Sequence, residues 1–138
     1  MPLEGLGRVK KALNVDIYNQ LNDGVKGIYF NGLKNVIKLT PVDTGRARNN
    51  WFLTTQMPSS STSMVSGGAS FKELSKIPTR VLNKDVYFTN NLPYIGVLEY
   101  GGYSQPGTKK TKNGFSIQAP MGWVRESLAD MANEVRKL

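Results

Sequence analysis

Asp43-Thr44-Gly45, inside the stretch TPVDTGRARNNW from Thr40 to Trp51, is the part of this sequence closest to a known chemistry. An aspartic protease carries this triplet on a tight loop, where two copies of the aspartate share one proton. Such a loop follows a buried hydrophobic strand. Here Pro41 stands two residues before Asp43, and the residues upstream have helical rather than strand periodicity. A turn accounts for the same letters: Pro41 fixes the exit from a helix, Asp43 can accept N–H bonds from Gly45 or Arg46, and Gly45 permits a positive φ. We therefore read Pro41, Asp43, Thr44 and Gly45 as a structural turn.

The rest of the chain offers little else to react. Cysteine and histidine are both absent from its 138 residues, which excludes thiol nucleophiles, disulfides, Cys/His zinc sites and Ser-His-Asp triads. No catalytic set, metal site or cofactor is expected. Eighteen Lys and Arg against ten Asp and Glu give a net charge of +8, a sign that suits polyanions or an acidic protein surface. Lys109, Lys110 and Lys112 form the one local cluster. No apolar run approaches the roughly 20 residues that span a bilayer, and MPLEGLGRVKK lacks the apolar centre of a signal peptide. The expected setting is the inside of a cell, either for use or for assembly there, with no membrane partner.

The elements that must position these residues follow from periodicity. From Gly7 to about Leu39, apolar residues recur at Val9, Leu13, Ile17, Leu21, Val25, Ile28, Leu33, Val36 and Ile37, as on an amphipathic helix. Its stripe drifts around the helix, and Gly24, Gly27 and Gly32 predict a kink or break near Asp23 to Gly27. Thr40, standing before Pro41, should end the helix. ARNNWFLTTQM predicts a strand anchored by Trp51, and residues 58–70 a mobile Ser/Gly-rich loop. FKELSKI adds a helical turn, KDVYFTN a half-buried strand with Val86 and Phe88 inward, and LPYIGVLEYGG a short helix closed by Gly101. Residues 101–114 predict a second mobile, basic loop. GFSIQAP is a short strand, and a terminal helix follows Pro120 with Val124, Leu128, Met131 and Val135 on one face. Together these give a single α+β domain over residues 1–138: a long N-terminal and a C-terminal helix packed on a small, mainly antiparallel sheet.

Three segments carry a family likeness in their order along the chain. TPVDTGRARNNW after a long helix, then YFTNNLPYIGVLEYGG, then APMGWVRESL opening a terminal helix, resemble the tail-completion and minor-tail proteins of long-tailed double-stranded-DNA bacteriophages. The matching positions are Pro41, Asp43, Thr44, Gly45 and Arg48, then Asn90 or Asn91, Tyr94, Glu99 and Gly101, and lastly Pro120. Ala47 stands where a leucine is frequent in that family. The resemblance implies a structural, non-enzymatic role at the junction of head and tail. Such proteins form a ring, often a hexamer, that caps the tail tube or joins it to the head connector, with viral DNA passing through the lumen.

Within that expectation Glu99 is a candidate ordering contact, paired with Arg46 or Arg48, because a carboxylate between Leu98 and Tyr100 needs a partner if it is buried. Tyr94, Tyr100, Tyr103 and Trp123 are candidate interface anchors, with core packing the stronger reading for Tyr94 and Trp123. The loop with Lys109, Lys110 and Lys112 is a candidate contact for DNA or an adjacent ring. A virion location in the tail or neck, after assembly in the host cytoplasm, completes the expectation. The competing reading is a small basic nucleic-acid-binding protein, which rests on charge and aromatic content alone.

Overall fold

Thr40 and Pro41 end the first helix as their sequence requires. A residue before proline is driven from the helical region, and α1 (Pro2–Leu39) stops one residue earlier. Thr40 closes the helix, its backbone N–H donating to Ile37 and its Oγ1 donating to the Val36 carbonyl at 2.6 Å. The computed structural model describes residues 2–41, 45–65, 69–101, 111–112, 115–116 and 122–138.

The break expected near Asp23 to Gly27 does not occur: α1 runs for 38 residues without interruption. Contacts on its C-terminal half offset the poor helix propensity of glycine. Asn22, buried, donates from Nδ2 to the Thr79 carbonyl and accepts the Val81 N–H on Oδ1, both at 2.8 Å. Gly32 serves close approach: a Cβ there would lie 2.3 Å from Met131 Cγ and Sδ.

The central pair is antiparallel, β1 (Trp51–Thr54) against β2 (Tyr87–Asn90), in the register Trp51↔Asn90 and Leu53↔Phe88. Trp51 and Leu53 share one face, and the Trp51 ring stacks on Phe88 with centroids 5.0 Å apart. A 3-10 helix (Ser70–Lys76) seals the other edge of β1 with side chains. Ser70 Oγ accepts the Trp51 N–H at 3.3 Å, and Glu73 Oε1 accepts the Leu53 N–H at 3.2 Å.

Beyond β2, α2 (Ile95–Tyr100) closes on Gly101, whose φ is 82°. A second antiparallel pair joins β3 (Thr111–Lys112) to β4 (Phe115–Ser116), so the stretch 101–114, expected as loop throughout, contains a strand. The other expected loop, 58–70, has neither helix nor strand over its described residues 58–65 and runs at Ser70 into the 3-10 helix, and it is fastened: the Ser59 and Ser61 carbonyls accept from Asn91, and Ser63 is bound by Asn50.

The last helix, α3 (Trp123–Arg136), lies on α1 with a face one residue away from the expected one. Trp123, Ser127 and Met131 are buried, while Leu128 and Val135 are exposed. The rotation follows the largest side chain: fully buried Trp123 donates its indole N–H to the Val36 carbonyl at 3.2 Å, which sets the helix's angle. One core thus joins Leu33, Val36 and Ile37 of α1 to Trp51, Leu53, Leu74, Leu92, Leu98 and Trp123. The architecture is α+β: a long N-terminal helix and a C-terminal helix packed on each other beside a small antiparallel sheet.

Candidate functional site

A helix start without a capping side chain must find its acceptors elsewhere. α3 begins after Gly122, which supplies no side chain and holds a φ of 64°. Glu99 of α2 fills the role. Its Oε1 accepts the Val124 N–H and its Oε2 the Arg125 N–H, each at 2.9 Å. The carboxylate is 6% exposed and sits at the positive end of the helix dipole.

Arg125 completes this node. Its Nε lies 3.0 Å from Glu99 Oε2, its Nη2 donates to the Glu99 carbonyl at 3.1 Å, and its guanidinium stands 4.5 Å over the Tyr100 ring. The expected pairing of Glu99 with Arg46 or Arg48 is therefore corrected. Both arginines serve backbone on the other side of the core. Arg48 donates from Nε to the Thr40 carbonyl and from Nη2 to the Lys38 carbonyl, the last acceptors of α1. Arg46 donates to the Ser63 carbonyl at 3.2 Å and approaches Met64 Sδ at 3.2 Å.

The turn after α1 is a second node. Gly45 has a φ of 77°, in the left-handed region that favours glycine. The Asn49 N–H reaches the Gly45 and Arg46 carbonyls, giving one helical turn before β1. Asn50 is fully buried and uses its whole amide: Nδ2 donates to Arg46 and Ser63 carbonyls, and Oδ1 accepts the Ser63 N–H at 2.7 Å. The Trp51 indole N–H donates to Thr40 Oγ1 at 3.0 Å, so one hydroxyl caps α1 and anchors β1. Asp43 and Thr44 lie outside the described residues.

The other expected positions fall in different places. Tyr94, expected in the core, is exposed, as is Tyr100, whereas Trp123 is buried. Pro41 is buried beside Thr40. Tyr103, Lys109, Lys110 and Pro120 lie outside the described residues, and Lys112 is described only as part of β3.

Sequence reasoning did not single out Asn50, Asn22, Glu73 or Arg125. The missing cap at Gly122 was the available signal for the Glu99 and Arg125 node.

These arrangements can hold backbone but offer little for reaction. The buried carboxylates Glu73 and Glu99 are both occupied by main-chain N–H groups. Among the described residues, no three acidic side chains come together in a way that could hold a metal ion. Nor, among them, is any helix long and apolar enough to cross a membrane. No family model, curated protein or solved structure matches this chain.

Proposed function

We propose that this chain is a structural component of a bacteriophage neck or tail, completing the tail or joining it to the head connector as a subunit of a ring around the DNA path. The observation that carries this reading is the way its three family-like segments fasten one another. Asn90, from the second segment, donates to the Ala47 carbonyl of the first at 3.0 Å. Glu99 of the second caps the helix that the third opens. Arg48 of the first binds the end of α1.

Residues placed in this way define a fold, and a fold is what a ring subunit must present repeatedly to its neighbours. The surface agrees with an assembly role, since many large apolar side chains remain exposed, including Leu6, Leu13, Ile17, Phe71, Tyr100 and Leu128.

The test is genetic and visual. A phage lacking the protein should accumulate filled heads and unattached tails, and electron microscopy of the purified protein should show rings. Intact, infective particles formed without it overturn the reading.

A further inference from the structure

The core face of α1 begins at Asn22, the first buried residue from Gly5 onward. From Gly5 to Leu21 the residues are exposed, apart from half-buried Tyr18. Yet this half carries the most regular apolar stripe in the chain: Leu6, Val9, Leu13, Ile17 and Leu21 are 63, 57, 55, 55 and 41% exposed. At about 100° per residue these five span an arc of roughly 120°. The arc is centred roughly 150° away from the face that Asn22, Tyr29, Leu33 and Val36 turn into the core. One edge of the arc continues into the side of α1 on which α3 lies further along, where Gly32 comes against Met131 and Gly24 against Leu138, so the stripe is the part of that side lying beyond Leu138. Together the five side chains offer on the order of 500 Å² of mostly apolar surface, the size of the largest patch on a typical monomer, which is often a functional one.

We propose that this stripe is the surface on which copies of this chain associate, with α1 of one copy lying parallel to α1 of the next. The inference rests on the reading of the chain as a ring-forming subunit and names the contact such a ring uses. Charge selects the occupant and its direction. Lys10 stands about 40° to one side of the stripe's centre, and Asp16 and Asp23 about 80° to 100° to the other. Lys10, Asp16 and Asp23 are all exposed.

Helices packed parallel bring opposite flanks together, so Lys10 of one copy faces the Asp16 flank of the next; packed antiparallel, like flanks meet. Parallel helices are also what a rotation axis along them generates, and that contact can repeat and close. The stripe is smaller than the about 800 Å² per partner of a standard interface, which makes one contact weak and a closed set of them stable.

The experiment uses the full chain and light scattering across a concentration series. The double variant Leu13→Glu with Ile17→Glu should weaken association by about tenfold or more. Its helix content and melting temperature should match the parent, because both side chains are on the surface. Lys10→Asp alone and Asp16→Lys alone should each weaken association about two- to fivefold, and the two together should restore it.

Parent protein that stays monomeric up to about 1 mM overturns the contact, as does a stripe variant that associates like the parent. A combined charge swap no better than the single ones overturns the parallel arrangement. Rings that persist in the stripe variant remove this contact and leave the neck reading standing. Heads and tails that join without the protein remove the neck reading itself.

Discussion

Glu99 acts on two neighbours that differ in worth. Its bonds to the Val124 and Arg125 N–H groups are buried and charge-assisted, whereas the Arg125 side chain is 56% exposed and its pairing is screened by water. Glu99→Gln keeps one acceptor oxygen and turns an NH₂ group toward donors. It should cost about 2 kcal/mol, lowering the melting temperature by roughly 5 to 10 °C. Arg125→Ala should cost less than about 1 kcal/mol. Thermal melts of the two variants compare them directly, and equal losses would mean that the ion pair rather than the helix cap matters. The need for a partner at Glu99 was legible from Leu98 and Tyr100 on either side of it. Its partner was not, because Val124 and Arg125 lie 25 and 26 residues further on and are brought near only when α3 folds onto α1. The same holds for Asn50, whose amide binds Ser63 across a loop without periodicity.

At the scale of elements, helices and strands were legible where side chains repeat with one period, and misplaced where tertiary contact overrode propensity. The end of α1 at Leu39 follows from Thr40 and Pro41 alone. The absent break does not, since the contacts that favour an unbroken helix come from Thr79, Val81 and Met131. The face of α3 likewise depends on where Trp123 finds its carbonyl. This difference between local and tertiary control predicts opposite signs for one substitution. At Gly27 a Cβ would meet nothing within 4 Å, so Gly27→Ala should stabilise by about 0.5 to 1 kcal/mol. At Gly32 the added methyl would collide with Met131, and the shift of α3 should outweigh the same propensity gain. Chemical denaturation of both variants is the check, with the Gly27 midpoint raised and the Gly32 midpoint lowered. Two raised midpoints would show that Met131 yields freely and that the helices are not closely fitted there.

For the whole molecule the net charge of +8 decides how salt acts on its interactions. Copies brought together in the proposed ring would repel one another through that charge, and the Debye length falls from about 30 Å at 0.01 M to about 10 Å at 0.1 M salt. Apolar contact through the α1 stripe is not weakened by screening. Self-association should therefore tighten as salt rises from about 0.02 to 0.3 M, with the Lys10 and Asp16 contribution, exposed on both sides, too small to reverse the trend. Binding to DNA carries the opposite sign, because each phosphate neutralised releases counterions and affinity falls steeply with salt. The same titration, followed by light scattering for the protein alone and by fluorescence anisotropy with a DNA duplex, thus separates the two readings of a basic chain. Association that strengthens with salt, beside weak and salt-sensitive DNA binding, is the outcome expected of a ring subunit that surrounds DNA without reading it. Monomers that bind DNA with high affinity at low salt and never associate would make the charge itself the function.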